Sequence, residues 1–407
     1  MAKRSAKPQA NGNGHGNGHS NGNGHGNGQQ HATKPLVAMV LQGGGALGAY
    51  HIGCFEAMAE AGYQPDWVSG ISIGAFNAAV IAGNPPEQRL AKLEELWHDI
   101  SRPDEWGTLL RGPLLKMFNI GSAFEAMLMG QPHFFSPRLP PPQLGVPGTS
   151  GALSYADNSP MRETLFRLAD FDLMNSGAVR ISLGATKVTN GELVFFDSKH
   201  RRIAPEHVMA SGALPPGFPP MRIDGELYWD GGCVSNTPLE AFLHEDIDRP
   251  LLVFMIDLWD AEGPEPRTID DVMWRQLQIQ YASRTSQHIR SVATALNARH
   301  AVGRLVERFN GEVKTDEAVS DAASLAFGQK MDIVHVSYHP AADQTPMSDR
   351  EFSRPSIGAR RQAGYADMKQ ALTAAPWTGK ARPERVGAVV HHVKGGEISS
   401  LVHQGLA

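Results

Sequence analysis

Residues 36–48 read LVAMVLQGGGALG, and residues 67–82 read WVSGISIGAFNAAVIA. Leu36–Leu41 is a continuous apolar run, the pattern of a strand buried on both faces of a parallel sheet. A helix is expected from Ala46 to Ala61, with Ile52, Phe55, Met58 and Ala59 at helical spacing and Gly62 as its C′ residue. Pro65-Asp66 then turns the chain into a second strand, Trp67–Ile71. A second helix, Ile73–Ala82, stops at Gly83-Asn84-Pro85. This β-α-β-α order predicts a three-layer α/β/α sandwich around a mainly parallel central sheet.

Both junctions between strand and helix carry chemistry. Gly70-Ile71-Ser72-Ile73-Gly74 is a G-x-S-x-G sequence at a strand-to-helix turn, the setting of a nucleophile elbow. The flanking glycines keep the turn tight, and the helix N-terminus favours negative charge developing at Ser72. Gln42-Gly43-Gly44-Gly45-Ala46-Leu47-Gly48 admits two readings. Gly43, Gly45 and Gly48 match a dinucleotide fingerprint, which needs an acidic residue at the end of the next strand. The only nearby acid, Asp66, precedes that strand, and the strand ends in the Ser72 elbow. The alternative is an oxyanion hole, with bare amides of Gly43, Gly44 and Gly45 aimed at an ester carbonyl. A right-handed crossover puts this loop and Ser72 at the same edge of the sheet, which favours the oxyanion hole.

A nucleophilic serine needs a base. His98, His133, His200, His207, His244 and His288 follow the elbow, and none sits in a loop resembling that of a triad histidine. Asp230-Gly231-Gly232 is, by itself, an ordinary turn. Further expected elements are helices at Glu87–Ile100 and Pro160–Ala169 and near Glu206–Ser211. Strands are expected at Arg180–Ala185, Leu193–Asp197 and Leu251–Asp257, with a hairpin around Asp224-Gly225. Gly107–Ser150, rich in Met, Phe and Pro, reads as a short amphipathic segment followed by an irregular one. Its Met117–Phe135 stretch packs in the core, borders an acyl site or touches membrane. Beyond Ala261 the chain predicts one or two long helices over Ile269–Arg308, a strand at Asp332–Tyr338 and a helix at Ser356–Leu372.

Apolar residues make up 41% of the 407 and charged residues 19%, enough for a sizeable core. A net charge of −5 gives no basic field for nucleic acid. Cys54 and Cys233 make no disulfide framework, and no Cys/His spacing suggests zinc. The Gly/Asn tract at 11–31, punctuated by His15, His19, His25 and His31, has nothing apolar to bury and is expected to be disordered, with at most weak metal binding. No secretory h-region follows Met1–Ala10, and no window is long enough to span a membrane, so a cytoplasmic location is expected.

Taken together, the G-G-G-x-x-G loop, the G-x-S-x-G elbow and the distant D-G-G resemble the patatin-like phospholipase family. Ala210-Ser211-Gly212-Ala213-Leu214-Pro215 and Phe218-Pro219-Pro220 add to the likeness, which runs from about Pro35 to Asp257. The resemblance implies Ser72 as nucleophile and Asp230 as its general base. It implies Gly43, Gly44 and Gly45 as oxyanion amides, and Gly48, Gly70, Gly74, Gly231 and Gly232 as motif glycines. It also implies no metal and no cofactor. The family often has an acid where Gln42 stands, a departure that touches loop conformation. The domains that follow are a tail over 1–34, a catalytic domain over 35–260 and a mostly helical extension over 261–407 packed on it. That extension is similar to one in a bacterial subgroup of the family. The expected activity is that of a serine acyl hydrolase on lipid esters, with peripheral membrane contact. A storage polyester as substrate, or a non-catalytic lipid-binding scaffold, stands as the alternative.

Overall fold

The computed structural model describes residues 34–102, 109–110, 112–242, 247, 249–308, 317–326, 329–340, 344–379, 386–394 and 396–403, apart from the side chains of 113, 283, 284 and 317–319. The His-rich tract before residue 34 and His244 lie outside them.

The first unit follows the expected pattern. β1 (Leu36–Leu41) leads through a 3₁₀ turn (Gly45–Ala49) into α1 (Tyr50–Glu60), then β2 (Trp67–Gly70), α2 (Ile73–Ala82) and α3 (Arg89–Asp99). The first helix is tightened at its start where the sequence predicts plain α-helix. Gly45 adopts φ 55°, and a Cβ on Gly48 would lie 2.7 Å from Ile73 Cγ2. The turn is therefore pressed against the elbow helix. Next come α4 (Gly112–Met129), a two-stranded ribbon of β3 (Ser136–Pro137) and β4 (Ala156–Asp157), α5 (Ser159–Leu168) and α6 (Phe171–Met174). β5 (Arg180–Lys187), β6 (Leu193–Asp197), α7 (Pro205–Ser211), β7 (Met221–Ile223), β8 (Glu226–Asp230) and β9 (Leu251–Asp257) follow. The Met/Phe-rich stretch is thus an 18-residue helix rather than a short segment.

Beyond residue 260 lie α8 (Ile269–Arg308), α9 (Glu317–Leu325), β10 (Met331–Ser337), α10 (Arg354–Ala374), β11 (Ala388–Lys394) and β12 (Glu397–Leu401). The helices expected here are present. The three strands extend the central sheet, whose order is β12-β11-β10-β9-β1-β2-β5-β8-β7, with β6 also on β5. β1, β2, β5, β9, β10 and β11 run parallel, and the antiparallel pairs lie toward the two ends.

Alternation along the buried strands builds two cores. Val37, Met39, Leu41, Phe254, Ile256, Val334 and Val336 face α1 and α10. Ala38, Val40, Val253, Met255, Ile333 and Val390 face Ile289, Val292 and Leu296 of α8. α1 and α10 touch backbone to backbone: a Cβ on Gly53 would lie 1.8 Å from the Arg361 carbonyl oxygen, and one on Gly364 would lie 2.1 Å from that of Tyr50. Neither glycine tolerates a side chain without separating the helices.

Candidate active site

Ser72 stands between β2 and α2 with φ 56° and ψ −127°, a conformation that non-glycine residues enter only when their surroundings force it. Those surroundings are the motif glycines. A Cβ on Gly74 would lie 2.1 Å from the Leu41 carbonyl oxygen, and one on Gly70 would lie 2.4 Å from that of Gly74. The Ser72 amide is engaged by the Ser211 carbonyl at 3.0 Å, and Ser211 Oγ donates to the Gly184 carbonyl at 2.6 Å. The C-terminus of α7 therefore pins the elbow.

The sheet register brings Asp230 to the same place. β5 is longer than β2. Its first half pairs with β2, ending at Gly70 opposite Leu183, and its second half pairs on the same side with β8, where Asp230 lies opposite Ala185. β2 and β8 thus meet end to end along β5, about 7 Å apart at ~3.3 Å per residue. Asp230 is 1% exposed. Its Oδ1 accepts from the Gly232 amide at 2.7 Å, while Oδ2 is buried without a closed hydrogen bond among the described residues. Burial pushes the carboxyl up to about 7. The Gly232 amide and the neighbouring Ser72 hydroxyl pull the other way, favouring the charged form.

The glycine loop divides its labour. Gly43 donates its amide to the Asn236 carbonyl at 3.1 Å, so that amide is committed within the protein. The Gly43 carbonyl accepts from Asn236 Nδ2 at 2.6 Å and Trp259 Nε1 at 2.9 Å. Gly44 and Gly45 line the cavity in front of Ser72. Gly48 packs behind them, and Gly231 lies where a Cβ would meet the Gly184 carbonyl oxygen at 2.7 Å. Asn236 and Trp259 were invisible in the sequence because they reach the loop from about two hundred residues away.

Gln42 holds this loop to the rest of the molecule. Its Oε1 accepts from the amides of Leu258 (2.6 Å) and Trp259 (3.1 Å), and its Nε2 donates to Thr237 Oγ1 (2.9 Å) and Thr285 Oγ1 (3.3 Å). Gln42→Leu leaves two buried amides without an acceptor and is expected to cost about 2–4 kcal/mol. Gln42→Glu keeps that acceptor and lets both threonine hydroxyls donate, so its cost should be under half as large. Thermal melts of the two variants check this, and an unchanged Tm in Gln42→Leu would contradict it.

A cavity of about 440 Å³ opens on Ser72. Its walls are mostly apolar, including Phe76, Phe134, Phe135, Leu214, Phe218 and Phe352. Asp230, Asn236, Tyr281, Asp349 and Arg350 supply polar groups. No histidine lines it among the described residues. His207 packs on Phe196, His98 bonds Arg354, and His288 lies 3.5 Å from Glu240. At the mouth Met127 belongs to α4, which also exposes Leu114, Met117, Phe124 and Leu128. The Met/Phe stretch thus borders the cavity and presents an apolar stripe outward. No helix among the described residues is long and apolar enough to cross a membrane.

The sequence profile described as "Patatin-like phospholipase" matches residues 39–243, half of the chain, and one described as "Patatin phospholipase" matches 279–384. Among relatives, the chain is 23% identical over 310 residues to "Lysophospholipase NTE1" of Yarrowia lipolytica, covering 74% of this chain and 19% of that protein. It is 26% identical over 251 residues to "Patatin-like phospholipase domain-containing protein 6" of Mus musculus, covering 59% and 15%. The chain therefore spans less than a fifth of the length of these relatives. VipD of Legionella pneumophila aligns with it at a TM-score of 0.36 and 16% identity, over 83% of this chain and 66% of that one. On the match over residues 39–243, which takes in the glycine loop, the elbow and the D-G-G turn, the chain belongs to the patatin-like phospholipase family.

Proposed function

We propose that the protein is a serine acyl hydrolase that cleaves carboxylic esters of lipids, with Ser72 as nucleophile and Asp230 as general base. The observation that carries this reading is the strained Ser72 beside a buried carboxyl whose pKa is raised to about 7, both facing an apolar cavity. Ser72 Oγ attacks the ester carbon as Asp230 takes its proton. The tetrahedral oxyanion is received by the amides of Gly44 and Gly45, while Gly43 is left to shape the loop. Collapse expels the alcohol, which takes the proton from Asp230. Water then attacks the acyl-serine, giving its proton to Asp230, and the fatty acid leaves as Ser72 is reprotonated. An ordinary aspartate is too weak a base at neutral pH; burial supplies the basicity that a histidine gives elsewhere. Release of fatty acid from lipid vesicles by the purified protein tests the reading, and an inert protein would count against it.

The approach to lipid is through α4. Leu114, Met117, Phe124 and Leu128 recur at helical spacing and are between 55% (Phe124) and 70% (Met117) exposed. Such a stripe suits shallow insertion at a lipid surface beside the cavity mouth. Changing Met117, Phe124 and Leu128 together to Ser is expected to weaken partition onto phospholipid vesicles at least tenfold. Vesicle co-sedimentation measures this, and undiminished binding would remove α4 from the interface.

A further inference from the structure

The lining of the Ser72 cavity holds one cation among the described residues, Arg350. It ends a 3₁₀ turn, Ser348–Arg350, that is fixed from below. Buried Arg360 donates to the Ser348 carbonyl at 2.9 Å, the Glu351 carbonyl at 2.9 Å and the Ala46 carbonyl at 3.0 Å, tying this turn to the turn that follows the glycine loop. The residue before Arg350 abuts the loop itself: a Cβ on Gly45 would lie 2.2 Å from the Asp349 carbonyl oxygen. The backbone of Arg350 is thus held next to the glycines that line the cavity.

Its guanidinium is only loosely occupied. Nε lies 3.7 Å from Asp349 Oδ2, and Nη1 lies 4.0 Å from Met127 Sδ. The side chain is 57% exposed where the cavity meets α4 at Met127. An arginine presents a planar fork of donors that fits phosphate in two-point contact. The same cavity holds the carboxyls of Asp230 and Asp349, which repel an anionic ligand unless a cation offsets them. Burial also raises the Asp349 carboxyl toward its neutral form, leaving the charge of Arg350 less compensated.

We propose that Arg350 is the head-group residue of this site: its guanidinium binds the phosphate of a glycerophospholipid or lysophospholipid whose acyl ester lies at Ser72. The assignment rests on the hydrolase reading above and deepens it, favouring a phosphate-bearing lipid over an uncharged ester such as a monoacylglycerol. The chemistry recognised is an anionic oxygen cluster, which a polyester also offers at its terminal carboxylate, so the test separates the two.

The experiment compares kcat/KM for lysophosphatidylglycerol, for the monoacylglycerol of the same chain length and for a 3-hydroxybutyrate oligomer. It is run on the full chain and on Arg350→Gln, Arg350→Glu and Arg350→Lys. Ratios between substrates within one protein do not depend on the fraction that is folded. The expected result is a lysophospholipid-to-monoacylglycerol ratio that falls about tenfold or more in Arg350→Gln, falls further in Arg350→Glu and is partly restored in Arg350→Lys. An unchanged ratio in Arg350→Gln and Arg350→Glu, with Ser72-dependent turnover intact, would overturn the head-group role and leave the hydrolase reading standing. Oligomer cleavage falling while the lysophospholipid ratio holds would reassign Arg350 to a carboxylate. If the full chain cleaved none of the three, the hydrolase reading itself would fail, and this inference with it.

Discussion

Replacing Asp230 with asparagine is expected to lower kcat/KM for ester cleavage by about a thousandfold, the middle of the range for loss of a general base. Asn keeps the shape and the Gly232 contact but cannot accept the Ser72 proton. The wild-type protein should show kcat/KM rising with pH through about 7 and levelling above it, because only the charged carboxylate is a base. That limb should vanish in the variant. Stability should move the other way. The folded carboxyl titrates near 7 against 3.8 when free, so the folded state holds its proton more tightly. The wild type then loses stability as pH rises from about 4 to about 7, by a total on the order of 4 kcal/mol. Asp230→Asn avoids that loss. It should melt higher than wild type at pH 8, with the gap closing as pH falls toward 4. Calorimetry at pH 5 and pH 8 measures this, and a variant that melts lower at pH 8 would show that the carboxylate is not carried at a cost.

Ser72→Ala should reduce turnover by about 10⁴-fold or more, since no other serine, threonine or cysteine lines the cavity among the described residues. Alanine keeps the Cβ and the same demand for positive φ, so the fold should be preserved and the loss should be one of chemistry. The double variant with Asp230→Asn should be no worse than Ser72→Ala alone, because base and nucleophile act as one unit. A double variant clearly less active than the single would assign Asp230 a separate role.

Much of the framework was legible in local sequence. LVAMVL announces a strand buried on both faces, and it lies at the middle of the sheet between β2 and β9. The G-x-S-x-G elbow could be read because the demand on Gly70 comes from Gly74 inside the same motif, whereas the contact of Gly74 with Leu41 comes only from the fold. Asp230 was not legible by itself. Its place follows from β5 outrunning β2, a fact of register that no short window contains. The partners that set the loop are further away still. Gln42 meets Thr285, Gly43 meets Trp259, and Gly45 meets Asp349. Each of these residues is unremarkable in its own stretch of chain, and only the fold makes it specific. The strands at the C-terminal edge were hidden for another reason. β11 reads AVVHHVK, with His391 and His392 breaking the apolar run, yet His391 is buried and bonded to Asp332 and Ser400. Polar residues satisfied by cross-strand partners look, in one dimension, like the end of a strand.

Catalysis here turns on one pairing, a nucleophilic Ser72 armed by a buried carboxylate. Its most direct test is treatment with a fluorophosphonate at pH 8, followed by intact-mass and peptide mass spectrometry of wild type and Asp230→Asn. The expected outcome is a single adduct on the peptide carrying Ser72, formed far more slowly in Asp230→Asn. An unmodified Ser72, or an adduct on another serine that abolishes turnover, would contradict it.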